Sequence, residues 1–322
     1  MELTMWLNIG LILAGVILLE RGATWFVKGS SILARKIHIS ELAIGLTVVA
    51  FGTSAPELVV NSFASHQGNF DIVFGNIIGS NIFNLFVILS IAGLITPMKV
   101  QSGTAWKEIP FSLLALLLLL LLANDPWIIP HRSARIGVLD SLVLLLAFGL
   151  FLFYAFRQLK SEPVTDPRQE GKEEGLKTAL LVSAGLAGLV LGGKLVVDHA
   201  ADLATEIGIS EKYIGLFIVA PGTSLPELAT SVVAAIRRNN DIAVGNIIGS
   251  NIFNILFIIP VSALIHPLAY DAGFNMDLAF LALGTVILFL AMYTGKRKEI
   301  DRWEAFILLG CYIAYVLWMV KQ

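Results

Sequence analysis

GLTVVAFGTSAPEL runs from Gly45 to Leu58, and GLFIVAPGTSLPEL runs from Gly215 to Leu228. A second pair follows: DIVFGNIIGSNIFN from Asp71 to Asn84 is answered by DIAVGNIIGSNIFN from Asp241 to Asn254. Working outward, residues 41–98 align with 211–268 without a gap, at an offset of 170, and roughly half of the positions are identical. Chance does not produce this, so the chain is built from two copies of one unit.

The solvent around those copies follows from composition. Of 322 residues, 57% are apolar and 14% charged, against about 45–50% and 25% in soluble domains. One aqueous core cannot hide that much apolar surface. The chain reads as an all-α polytopic membrane protein. About ten segments are long enough to span, each needing roughly 20 apolar residues: 5–33, 41–66, 71–95, 107–123, 136–157, 176–205, 211–236, 241–265, 276–293 and 303–320. The leading MELT lacks a basic n-region, so the first apolar run reads as a span rather than a cleaved signal. A soluble enzyme and a secreted disulfide domain are excluded, the latter also by a single cysteine, Cys311. A net charge of −2 offers no face for nucleic acid.

Five spans per half is an odd number, so the second half must cross the bilayer in the opposite sense. The expected organisation is a first inverted repeat over 1–157, a polar linker over 158–175 and a second inverted repeat over 176–322, the pattern of secondary transporters. Lys and Arg concentrate in the linker and in alternate loops, including Arg35 with Lys36, Arg237 with Arg238, and Lys296 to Lys298. That bias puts the linker in the cytoplasm and both termini outside a cell membrane.

The repeated motif carries ionisable chemistry into hydrocarbon. Pro56 and Pro226 lack an amide donor and break the helix ladder. Carbonyls around Gly52 and Thr53, and around Gly222 and Thr223, lose their usual partners, with Ala50 and Ala220 nearby. An unpaired carbonyl in lipid costs several kcal/mol, and a cation can satisfy it. Glu57 and Glu227 follow the prolines, in the middle of apolar spans. A central acidic residue there costs ~2.5–3.5 kcal/mol unless it is paired, protonated or ion-bound. No basic neighbour is evident in sequence. Two protonated glutamates bonded between helices would also satisfy the pattern, but a shared cation site accounts for more of it.

The second motif places Ser80 and Asn84, and Ser250 and Asn254, on the helical side that meets the glutamates. Asn76, Asn81, Asn246 and Asn251 fit either ligation or interhelical hydrogen bonding, and the glycines at 75, 79, 245 and 249 allow close helix approach. Together with the hydroxyls of Thr53, Ser54, Thr223 and Ser224, every donor is a hard oxygen. Such a set suits Ca2+ and Na+, not zinc or copper. Asp71, Asp241, Glu41 and Glu211 open helices and suit their N-termini. Ionisable groups in the first and sixth spans, such as Glu20, Arg21, Lys194 and Asp198, read as local pairs or snorkelling side chains rather than the lining of an access path, and the Leu-rich run at 113–122 reads as lipid-facing.

GTSAPEL and GTSLPEL, each followed by GNIIGSNIFN, resemble the paired repeats of the cation/calcium exchanger superfamily, prokaryotic sodium/calcium exchanger type. The resemblance covers the whole chain. It implies ten helices in two inverted repeats of five, with Glu57 and Glu227 as carboxylates shared by Ca2+ and Na+. It further implies ligation by Thr53, Ser54, Thr223 and Ser224, backbone oxygens from Ala50 and Ala220, and Ser80 and Ser250 completing outer sites. Asn84 and Asn254 would flank the centre. Related exchangers commonly carry an aspartate at one of these last two positions; both are asparagine here, which removes a third carboxylate.

The expected function is therefore Ca2+/Na+ antiport by alternating access, with the ions as cargo, the bilayer as environment, no cofactor, and a monomer sufficient for transport. The first and sixth spans would slide against the rest. An antiporter driven by H+, or one carrying Mn2+ or Mg2+, is the alternative. A cation channel fits less well, since channels usually assemble a shared pore from subunits. No nucleophile–base pattern points to an enzyme.

Overall fold

The computed structural model describes residues 2–36, 50–100, 104–125, 133–158, 173–238, 240–294 and 299–321. The first part of the expected second span, residues 41–49, and most of the linker lie outside them.

The chain is helical almost throughout. Helix α1 spans Glu2–Lys36. The motif region follows as α2 (Ala50–Thr53), α3 (Ala55–Gln67) and α4 (Phe70–Phe83). A π turn over Asn84–Ile88 then leads into α5 (Leu89–Ile95). Two peripheral helices complete the half, α6 (Ile109–Ala123) and α7 (Val138–Gln158). The order then recurs. Helix α8 covers Glu173–Ile207. Next come α9 (Glu211–Ile214), a π turn over Gly215–Val219 and α10 (Ala220–Thr223). Helices α11 (Leu225–Ile236) and α12 (Asn240–Phe253) precede a π turn over Asn254–Ile258. The chain ends with α13 (Ile259–Ile265), α14 (Asn275–Ala291) and α15 (Arg302–Met319).

Among the described residues, eight helices are long and apolar enough to cross a membrane, or nine if the pair Glu211–Thr223 and Leu225–Ile236, bent by 47°, is one span. The protein is a multi-span membrane protein. The ten-span count remains the expectation of the sequence, with its second member only partly described.

Helix α4 forms the centre. Every residue from Ile72 to Ile82 is buried, the polar Asn76, Ser80 and Asn81 among them. Its glycines seat it against the other copy. A Cβ on Gly79 would lie 2.7 Å from Ala220 Cβ and 2.8 Å from the Leu216 carbonyl. Helices α1 and α8 pack along a glycine stripe: a Cβ on Gly185 would fall 2.5 Å from Phe26 N, and one on Gly192 2.7 Å from the Gly15 carbonyl. Only glycine permits such backbone approach.

Two short antiparallel ladders tie the halves together at their edges. β1 (Met98–Lys99) pairs with β4 (Glu299–Ile300), and β2 (Arg135–Ile136) pairs with β3 (Leu268–Ala269). The repeat shows even in backbone conformation. Gly68, after α3, has φ +83°, and Arg238, at the matching place after α11, has φ +58°.

The Leu-rich run, expected to face lipid, is exposed on one side only. Leu114, Leu117 and Leu121 are exposed, whereas Leu116 and Leu119 are buried, because α6 packs against α14. Of the other ionisable groups in long helices, Arg21 pairs with Glu20 at 3.4 Å and Asp198 accepts from Gln67 Nε2 at 2.6 Å. The first contact is local pairing, as expected; the second joins residues 131 positions apart, on two different helices. One buried ion pair was not foreseen: Lys212 Nζ lies 2.7 Å from Asp277 Oδ2, and Tyr315 donates to Asp277 Oδ1 at 2.7 Å.

Candidate functional site

Ser54 and Ser224 interrupt the two motif helices. Their backbones sit at φ −88°, ψ 8° and φ −85°, ψ 10°, in the bridge region between helix and strand. Pro56 and Pro226 stand in the first turn of the helices that restart, α3 and α11. There their missing N–H costs least. Glu57 and Glu227 therefore fall in the first turns, where a carboxylate meets the positive end of a helix.

The pattern Ser-x-Pro-Glu reads locally as a capping box, in which serine and glutamate satisfy their own helix end. The structure does something else. Neither serine makes a side-chain cap bond. Instead Ser54 Oγ donates to Glu227 Oε1 at 3.1 Å, and Ser224 Oγ donates to Glu57 Oε1 at 3.2 Å. Thr223 also engages Glu57, and Thr53 engages Glu227. Each carboxylate is thus held by the serine of the other repeat, with the threonine beside it.

Both glutamates are 1% exposed. Among the described residues no Lys, Arg or His forms an ion pair with either. Glu57 Oε2 and Glu227 Oε2 are buried without a hydrogen-bond partner, and so are Asn84 Oδ1 and Asn254 Oδ1. These four oxygens match in pairs across the repeat. Buried oxygens in this condition carry a desolvation cost of several kcal/mol, which a cation or a proton offsets.

The remaining expected residues divide. Ser250 Oγ reaches Glu227 Oε1 and accepts from Ser54, both at 3.4 Å. Ser80, its counterpart, instead bonds Asn76 Oδ1 at 3.4 Å and the Ala220 carbonyl at 3.5 Å. That carbonyl also accepts from Thr223 at 3.2 Å. The two half-sites are therefore unequal. Ala50 opens α2, with its side-chain surroundings outside the description. The same holds for the Asp241 side chain and all of Glu41.

Asn84 and Asn254 each open a π turn, an irregularity frequent at functional sites. Asn84 Nδ2 donates to Asn251 Oδ1 at 3.1 Å, and Asn254 Nδ2 donates to Asn81 Oδ1 at 2.9 Å. Asn76, open to two readings in sequence, accepts from Thr223 at 3.0 Å. Asn61 was missed. It bonds the Glu57 carbonyl at 2.7 Å, and the available signal was a buried amide one turn beyond the glutamate.

Comparison with known proteins places the chain in a family. The model of the family described as sodium/calcium exchanger protein matches residues 7–157 and 177–321. The sodium/calcium exchanger MaX1 of Methanosarcina acetivorans is 30% identical over 96% of this chain and 97% of its own length. The inner membrane protein YrbG of Escherichia coli is 35% identical, covering 97% of this chain and 96% of its own length. The solved structure of the sodium-calcium exchanger NCX_Mj with Na+ and Sr2+ superposes with a TM-score of 0.66 at 32% identity, over 97% of this chain and 98% of that one.

Proposed function

Because the chain belongs to the sodium/calcium exchanger protein family, we propose that it is a secondary-active antiporter exchanging Ca2+ for Na+ across a cell membrane. The observation that carries this reading is the set of four buried, partnerless oxygens on Glu57, Glu227, Asn84 and Asn254. All are hard donors. Two ionised carboxylates give a charge of −2, balanced by one Ca2+ or by two Na+. Competition for one charge-compensated site is the requirement for antiport.

In this reading Glu57 and Glu227 bind both ions directly. Thr53, Ser54, Thr223 and Ser224 orient the carboxylates and add hydroxyl or carbonyl oxygens. Ala220 and Ala50 contribute backbone oxygens, and Ser80 and Ser250 complete the flanking positions. The halves 1–157 and 176–322 cross the bilayer in opposite senses, with the linker 158–175 in the cytoplasm and both termini outside. Helices α1 and α8, locked to each other by glycine contacts, slide as one body past the remainder to alternate access. One chain contains the whole site.

The test is 45Ca2+ uptake into proteoliposomes under imposed Na+, H+ or K+ gradients. Uptake driven by an outward Na+ gradient is expected. Uptake that follows a pH gradient alone would replace Na+ by H+ as the coupling ion.

A further inference from the structure

We infer that Asn81 and Asn251 are positioning residues that hold Asn254 and Asn84 with their amide oxygens toward the transported cation. The inference rests on the antiport reading above and adds a device to it. A backbone carbonyl can only accept a hydrogen bond, whereas a side-chain amide has an accepting end and a donating end. Asn81 Nδ2 lies 3.2 Å from the Asn251 carbonyl, so that end of Asn81 must be nitrogen. Its other end is then oxygen, and what faces it at 2.9 Å must be the nitrogen of Asn254. Asn254 is thereby committed to present its oxygen elsewhere.

The mirror chain runs from the Asn81 carbonyl. Asn251 Nδ2 donates to it at 3.3 Å, and Asn251 Oδ1 accepts from Asn84 Nδ2 at 3.1 Å. Both relays therefore start at main chain, which cannot reverse its polarity. Both end on a buried oxygen without a partner, Asn254 Oδ1 and Asn84 Oδ1. The free carboxylate oxygens of Glu57 and Glu227 are in the same condition. A reversed amide would offer two N–H groups to a cation and repel it. Without the relay, an amide flip would cost little locally and would remove a ligand.

Leucine removes the hydrogen bonds of asparagine and keeps its branched shape, and aspartate presents oxygen whichever way it turns. The test compares Na+-driven 45Ca2+ uptake by the wild type, N81L and N81L/N254D, each as purified full-length protein in proteoliposomes. N81L is expected to raise the KM for Ca2+ about tenfold or more, the scale of one lost hydrogen bond at a charge. The double variant is expected to return to within about threefold of wild type, on the same scale. N251L and N251L/N84D should behave alike. A loss caused by poor packing would not be rescued by a carboxylate on the neighbouring helix. If N81L does not elute as a monodisperse protein, N81S takes its place in the same comparison. A wild-type KM in the single variant, or a double variant no better than the single, overturns the relay. Absence of Na+-driven uptake by the wild type overturns the antiport reading instead.

Discussion

Ser54 stabilises a carboxylate 173 residues away: its hydroxyl donates to Glu227 at 3.1 Å, although Glu57 stands three positions further along its own helix. Ser224 does the same for Glu57 at 3.2 Å. The exchange couples the two repeats at the place where each helix breaks. Neither half-site is complete alone, because the serine nearest each acid, Ser54 for Glu227 and Ser224 for Glu57, belongs to the other copy.

The serines should not be equivalent. Glu227 keeps Ser250 at 3.4 Å when Ser54 is lost, while Ser224 is the serine holding Glu57. A hydrogen bond to a charged group contributes about 1.5–3 kcal/mol. Ser224→Ala is therefore expected to raise the KM for Ca2+ by roughly 10–100-fold, and Ser54→Ala by less. Equal effects in the same uptake assay would contradict the asymmetry.

Removing a carboxylate should be more severe. Glu57→Gln and Glu227→Gln keep shape but leave the site with one negative charge. Each should reduce Ca2+ exchange by roughly 100-fold or more, at or beyond the upper end for outer partners of metal sites. Thermal unfolding should remain cooperative, since an uncompensated buried anion has been removed. Wild-type flux in either variant would falsify the assignment of the site.

The α1–α8 contact is testable through its glycines. Gly185→Ala places a Cβ 2.5 Å from Phe26 N, whereas Gly149→Ala on α7 meets nothing within 4 Å. Overpacking of this kind costs about 1–3 kcal/mol. Gly185→Ala should lower the Tm in detergent and slow turnover, and Gly149→Ala should do neither. Matching Tm values for the two would mean that the close approach is not a constraint.

The Lys212–Asp277 pair anchors the start of the bent span to α14. Asp277 is fully buried and also accepts from Tyr315. Breaking a buried pair from one side costs about 3–5 kcal/mol, while replacing both partners by apolar groups is often neutral. Lys212→Met is therefore expected to destabilise strongly, and Lys212→Met with Asp277→Leu to recover most of the loss. Thermal unfolding of the two variants decides it; a double variant as unstable as the single would refute the pair as an anchor.

Much of this protein was determined by sequence alone. Composition fixed the solvent, because 57% apolar residues cannot be buried in water. The repeat at an offset of 170 fixed the duplication, and Pro56 and Pro226 fixed where the helices break, since proline has no amide to donate. The acids after those prolines marked the candidate site. Tertiary structure alone decided which partner each group takes. Ser-x-Pro-Glu spacing favours a local cap, and only the meeting of two helix breaks diverts Ser54 to Glu227 and Ser224 to Glu57. The unequal roles of Ser80 and Ser250, the amide relay through Asn81 and Asn251, and the Lys212–Asp277 pair are likewise invisible in one dimension. Hydrogen bonds choose among neighbours, and residues so far apart in sequence become neighbours only when the two copies pack.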